Sequence, residues 1–176
     1  MRITISGKPG SGKSTVAKIL ASRLGLKHYS NGDFMRDIAK RRGLTFIELT
    51  KIAETDRSID DELDYRQILL AKEDNFVIDS RLGFHFIPDS IKIFIDVDLD
   101  KAAERIFKEK RQGQPAESIE EVKAQLGRIM KSERMRYKQY YNLDIDDMKN
   151  YDLVIDSSKI SAEKVADKII NFIKHR

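Results

Sequence analysis

The sequence predicts an α/β fold, a parallel sheet flanked by helices, and three observations carry that expectation. Short apolar runs at Ile3-Thr4-Ile5, Phe76-Val77-Ile78, Ile91 to Val97 and Leu153-Val154-Ile155 read as buried strands, and helical spacing fills the stretches between them. The first run leads into Gly7-Lys8-Pro9-Gly10-Ser11-Gly12-Lys13-Ser14-Thr15. From Gly7 to Ser14 this fits the pattern G-x-x-x-x-G-K-[ST], with a strand before it and a helical pattern after it. The length, 176 residues, suits one domain that buries a core without metal or disulfide staples. The combination is that of a P-loop NTPase fold with a five-stranded parallel sheet.

Taken in order, Arg2 to Ser6 is a strand, Lys13 to Leu24 a helix stopped at Gly25, and Lys27 to Ser30 a second short strand. From Asn31 to Asn75 no good strand appears. Asp33 to Arg42 has helical spacing through Phe34 and Ile38, Thr45-Phe46-Ile47-Glu48 opens another helix with a capping box, and a third runs from Ser58 to Lys72. About forty residues of helix between two strands is long for a simple crossover, so residues 31–75 read as a substrate-holding insert. Phe76 to Asp79 and Ile91 to Val97 are strands, and Asp100 to Lys110 is a helix broken at Gln112-Gly113-Gln114-Pro115. Ser118 opens a long helix reaching Tyr141, Leu153 to Ile155 is the last strand and Ser161 to Lys174 the last helix. The core is thus residues 1–30, 76–111 and 142–176, with a lid at about 112–128.

Composition excludes several classes. Without cysteine there is neither a disulfide framework nor a Cys-ligated zinc site, and His28, His85 and His175 show no ligand spacing. His85, between Phe84 and Phe86, suits a partly buried structural place. The 33 Lys+Arg against 29 Asp+Glu give a net charge of +4, a weak pointer to anionic partners. No apolar run approaches a membrane span, and a strand begins at once, leaving no room for a signal peptide; a cytoplasmic chain working as a monomer is expected.

The glycines of the loop let consecutive amides turn inward as an anion nest at a helix N-terminus, a natural seat for polyphosphate. Lys13 is expected to reach the β- and γ-phosphates and Ser14 to ligate Mg²⁺. Asp79, at a strand end, is expected to hold Mg²⁺ through its waters. Arg81 and Arg36, each just beyond a strand end, suit a bidentate grip on a second phosphate. Arg105 and Arg111 precede the break at Gly113, and Arg128, Arg134 and Arg136 follow it. Helical spacing is expected to turn several of them towards one another across a lid that brings positive charge to the phosphoryl group and expels water. Glu104, Glu109 and Glu133 interleave with them and argue against a nucleic-acid stripe. A phosphate acceptor needs no general base; an alcohol acceptor would, and Asp33 is then the candidate.

The ordered set of phosphate loop, Asn31-Gly32-Asp33-x-x-Arg36, Asp79-Ser80-Arg81-Leu82-Gly83, Glu104-Arg105-Ile106, Ser132-Glu133-Arg134-Met135-Arg136-Tyr137 and Tyr151 to Ser158 resembles the nucleoside monophosphate kinase family. More narrowly it is similar to the archaeal type of cytidylate kinase. That resemblance implies transfer of the γ-phosphoryl of ATP to CMP and dCMP, with Mg²⁺, in a core, NMP-binding and lid arrangement. It implies Arg36 and Arg81 at the acceptor phosphate, Arg105 on the adenine, and Arg128 and Arg136 in the lid. Asp79-Ser80-Arg81-Leu82-Gly83 departs from the Asp-Gly-Phe-Pro-Arg of adenylate kinases, which weakens an AMP reading. The base would be read from the insert by Arg57, Asp60, Asp61 or Asp64, among which spacing does not choose. Two other classes stand beside this one. A GTP-driven switch would need an Asp-x-x-Gly element and an Asn-Lys-x-Asp guanine reader, and the chain has neither. A shikimate- or gluconate-type kinase would turn on Asp33.

Overall fold

The computed structural model describes residues 1–109 and 118–176, residue 47 by its backbone only. Among the described residues, β1 (Arg2–Gly7), β2 (Lys27–Ser30), β3 (Phe76–Asp79), β4 (Ile91–Asp96) and β5 (Leu153–Asp156) form one sheet in the order β2-β3-β1-β4-β5. Every neighbouring pair is parallel. The helices are α1 (Lys13–Leu24), α2 (Asn31–Arg41), α3 (Phe46–Ala53), α4 (Arg57–Leu70), α5 (Gly83–Phe86), α6 (Leu99–Lys108), α7 (Ile119–Tyr141) and α8 (Ala162–Lys174), with a 3₁₀ turn at Met148–Asn150. The strands and the longer helices stand where the apolar periodicity puts them. The four-residue α5 and the 3₁₀ turn are too short for a periodicity to announce them.

β1 is central and covered on both sides, and its alternating side chains show how. Ile3 and Ile5 face one way and are fully buried against Val16 and Leu20 of α1 and Val165 and Ile169 of α8. Thr4 and Ser6 face the other way, and their hydroxyls are satisfied: Thr4 Oγ1 lies 2.9 Å from Ser90 Oγ, and Ser6 Oγ donates to the Arg81 carbonyl at 3.0 Å. That second face is closed by Leu82, Phe84, Tyr137 and Ile145, with the Tyr151 ring 5.0 Å from Phe84 and 4.9 Å from Phe94. Each fully buried aliphatic side chain contributes ~1.5–3 kcal/mol, so these two layers hold the sheet rigid beneath its loops.

The segment 31–75 has a core of its own, built from Ile38, Ala39, Leu49, Ala53, Ile59 and Leu63 of α2, α3 and α4. Its middle helix starts where the sequence marks it: Thr45 Oγ1 accepts from the Glu48 amide at 3.2 Å, while the Glu48 carboxylate accepts from the Thr45 amide at 2.7 Å.

Register brings the functional segments together. Ile5 pairs with Asp79, Gly7 with Ile95, and Asp96 with Asp156, so the loops leaving β1, β3, β4 and β5 gather along the carboxyl edge of the sheet.

Candidate active site

The loop after β1 ends in α1, whose N-cap is Gly12 with no side-chain cap, and no acidic residue stands in its first turn. By contrast α3, α4, α6, α7 and α8 are each capped by a side chain and carry an acid in the first turn. No side chain caps the start of α1, and no acid compensates the positive end of its dipole, which suits an anionic ligand there.

Two glycines show why the loop has this shape. Gly7 (φ 147°) lies so close to β4 that a methyl group would run into the Ile95 carbonyl. Gly10 (φ 75°) would bring a Cβ to 2.9 Å from both the Cβ and the carbonyl of Ala102 in α6. Lys8 Nζ pairs with Asp96 Oδ1 at 2.7 Å, and the Lys8 carbonyl accepts from Lys13 Nζ at 3.4 Å.

A cavity of about 430 Å³ opens over this loop. Pro9, Gly10, Ser11, Gly12, Lys13, Ser14 and Thr15 form its floor, and Arg81, Arg105, Glu109, Ser157 and the start of α8 form its walls. Gly7 and Lys8 do not line it. Arg105 is fixed by three hydrogen bonds: Nη1 donates to Ser157 Oγ at 3.1 Å and to the Gly10 carbonyl at 3.4 Å, and Nη2 to the Ser157 carbonyl at 2.6 Å. Ser157, buried, has its own hydroxyl within 3.0 Å of the Ser11 carbonyl and 2.9 Å of the Asp96 carbonyl. It thus ties the loop after β5 to the phosphate loop. Its position is a plain Asp-Ser-Ser turn in the sequence, and only the fold shows which carbonyls it meets.

Asp79 is buried at the end of β3. One carboxylate oxygen accepts from Ser30 Oγ at 2.8 Å. The other, Oδ2, has no hydrogen-bond partner among the described residues and stands 3.6 Å from His28 Nε2. A buried carboxylate oxygen with no donor is costly unless a cation or its water shell completes it, so the site fits the expected divalent metal. His28, read from the sequence only as one of three scattered histidines, is the neighbour that the pairing of β2 with β3 brings in.

Arg81 reaches the cavity wall, where its Nε meets Glu133 of α7, 3.3 Å from Oε1 and 3.1 Å from Oε2. Arg36 is not part of the wall: exposed on α2, it folds back onto Asp33. Arg128 is exposed on α7 and does not line the cavity. Arg134 pairs with Asp146, and Arg136 Nε stands 3.6 Å from Asp60 Oδ2 of α4, with Nη1 donating to the Ala53 carbonyl at 3.5 Å. The expected convergence of these arginines is therefore not met among the described residues. At about 100° per residue, positions 128, 134 and 136 fan around α7, and Arg134 and Arg136 find carboxylates on different elements. Arg111 and the stretch 112–117 of the expected lid lie outside the described residues.

The insert turns acidic side chains of α4 towards α7. Burial raises the Asp60 carboxyl above its usual range, and burial pushes Asp64 up to about 6 even though Tyr141 Oη donates to it at 2.6 Å. Arg57 pairs with Asp61 at 3.2 Å and lies over the Tyr140 ring, 4.9 Å from its centre. His85 lies between the Phe86 and Tyr141 rings, and burial lowers its basicity, in keeping with a structural place. Among the described residues no helix is long and apolar enough to cross a membrane.

Comparison with known proteins gives a consistent result. The model of the cytidylate kinase-like family matches residues 2–159. The cytidylate kinase of Sulfolobus acidocaldarius is 39% identical over 180 aligned positions, which take in 100% of this chain and 96% of that protein. That of Methanocaldococcus jannaschii is 40% identical, covering 94% of this chain and 93% of its own length. Among solved structures, an uncharacterized protein from Eubacterium ventriosum superposes with a TM-score of 0.76 at 23% identity, over 100% of this chain and 99% of that one. A shikimate kinase from Bacteroides thetaiotaomicron superposes with a TM-score of 0.70 at 16% identity, over 99% and 98%. At such identities the two structures speak to the fold alone.

Proposed function

The chain belongs to the cytidylate kinase-like family, and on that premise we propose that it transfers the γ-phosphoryl group of ATP to CMP, and to dCMP, giving ADP and the nucleoside diphosphate. The observation that supports this most is the cavity itself, in which the phosphate loop and Arg81 face a common space.

Polyphosphate sits at the N-terminus of α1, with Lys13 neutralising the β- and γ-phosphates. Arg105, held between Gly10 and Ser157, offers its planar face to the adenine. A phosphate oxygen of the acceptor, already anionic at neutral pH, attacks the γ-phosphorus as the bond to the β-phosphate oxygen breaks, so no base has to remove a proton. Arg81 holds charge that passes between the two phosphates. Arg36 and Arg128 supply further positive charge once both nucleotides are bound, Arg36 by leaving Asp33 for the acceptor phosphate, whereas Arg136 stays with Asp60. Ser14 and Asp79 would hold Mg²⁺, which supplies charge neutralisation at the transferring phosphoryl.

The base falls to the insert. Cytosine shows an amino donor beside a ring acceptor, and an acidic side chain paired with a donor suits that edge. Asp60 Oδ2 and Arg136 Nε are both buried and without hydrogen-bond partners, which favours Asp60 over Arg57, Asp61 and Asp64 as the reader of the amino group. An alcohol acceptor is less well served, because its base would be Asp33, whose carboxylate is exposed and engaged by Arg36. Profiling nucleoside monophosphates and small alcohols at fixed ATP and Mg²⁺ tests the reading: CDP and dCDP are the expected products, and an alcohol phosphate ester would overturn it.

A further inference from the structure

Arg81 and Glu133 are far apart in sequence and meet across the face of the sheet that holds α7. Both side chains are largely buried, 15% and 19% exposed. The contact is one-sided in a useful way. Both carboxylate oxygens of Glu133 sit against the single Nε of Arg81, at 3.3 and 3.1 Å. Among the described residues, Nη1 and Nη2 of the same guanidinium make no hydrogen bond, and Arg81 lines the cavity above the phosphate loop. A guanidinium can present two parallel N–H bonds to a phosphate along one edge while its remaining donor is held elsewhere. An unheld arginine spreads over many rotamers and loses that freedom on binding.

We propose that Glu133 is a positioning residue for phosphoryl transfer, clamping the Nε side of Arg81 so that its Nη1–Nη2 edge is presented to a phosphate in the cavity. Glu133 also stands one turn before Arg136, which reaches Asp60 of the insert. The helix that sets Arg81 is therefore fastened to the acceptor-holding part of the molecule as well. The proposal rests on the phosphotransferase reading given above, and it assigns Glu133 no contact with substrate.

The test is a double-mutant cycle on the full chain, with ATP, Mg²⁺ and CMP, measuring kcat and both KM values together with thermal melting. Glu133→Ala is expected to lower kcat ~10- to 100-fold, the scale of a misplaced catalytic group, with the KM for ATP nearly unchanged. Glu133→Gln, which keeps an acceptor for Nε, is expected to recover a large part of that loss. In the Arg81→Ala background, adding Glu133→Ala is expected to cost less than about twofold more, because its effect passes through Arg81. Losses that multiply in the double variant would overturn the proposal, as would a kcat for Glu133→Ala within about twofold of wild type. If Glu133→Ala fails to fold, Glu133→Met, which keeps the length of the side chain and removes the acceptor, carries the cycle: a kcat loss seen with Arg81 and absent from the R81A background supports the clamp, and any other pattern overturns it. A wild-type chain that forms no nucleoside diphosphate at all would instead remove the functional reading, and the proposal with it.

Discussion

Arg136 Nε stands 3.6 Å from Asp60 Oδ2, and each atom is buried without a hydrogen-bond partner. The two groups neutralise each other in charge, yet each keeps one direction for a ligand. If that ligand is the cytosine edge, Asp60→Asn replaces a pure acceptor by a group that can also donate. Discrimination of CMP from UMP is then expected to fall by about 1–3 kcal/mol, roughly 5- to 150-fold in the ratio of kcat/KM values. Steady-state kinetics with both monophosphates measures it, and an unchanged ratio would place base reading elsewhere in the insert.

Asp79→Asn removes the buried negative charge at the end of β3 while keeping the size of the side chain. Its unpartnered oxygen is expected to act through the water shell of Mg²⁺. The Mg²⁺ concentration for half-maximal transfer should therefore rise at least about tenfold, the usual cost of losing an outer partner of a metal. A Mg²⁺ titration of the initial rate checks it.

Gly10→Ala tests the loop geometry. The added methyl meets the backbone of Ala102 at 2.9 Å, and the left-handed φ of 75° disfavours any side chain there. Stability is expected to drop by about 1–3 kcal/mol, with a larger loss in transfer, because the amides that cradle phosphate turn with the loop. Thermal melting and kinetics on the same sample separate the two effects.

Burial holds the Asp64 carboxyl at about 6, against an ordinary value of 3.8. Between those two values the folded chain binds more protons than the unfolded chain. The contribution of this group to stability is therefore full below about pH 4, declines as the pH climbs, and is lost once it passes about 6. Asp64→Asn, which cannot ionise, is expected to flatten that decline and to melt higher than wild type at pH 7 to 8. Tyr141→Phe removes the hydrogen bond that favours the ionised form, so it should move the end of the decline to higher pH. Melting temperatures across pH 4 to 8 for the three proteins decide the matter.

What the sequence shows plainly is whatever depends on near neighbours. Ile3, Ile5, Val77 and Ile78 announce their strands because β-branched apolar residues gathered in a short run suit a buried strand. Gly7 to Ser14 announces a phosphate seat because the spacing of its glycines and of Lys13 is itself the geometry. The Thr45–Glu48 box is legible for the same reason, both partners lying within one turn. The partners of Arg81, Arg105 and Arg136 are different in kind. Glu133 lies 52 residues from Arg81, and Ser157 lies 52 residues from Arg105, so each contact exists only once the sheet order is set. A row of arginines read along α7 suggests convergence on a lid, yet Arg134 and Arg136 are turned by the carboxylates that tertiary packing places beside them. Asp79 was legible as a strand-end carboxylate, whereas its environment of Ser30 and His28 required the pairing of β2 with β3.

The most direct measurement is the product balance of a reaction containing the full chain, Mg²⁺, radiolabelled ATP and CMP. Phosphoryl transfer to the acceptor phosphate requires one CDP for each ADP, with the label from the γ-phosphoryl recovered in CDP and little inorganic phosphate formed. ADP accompanied by inorganic phosphate, with CMP unchanged, would contradict it.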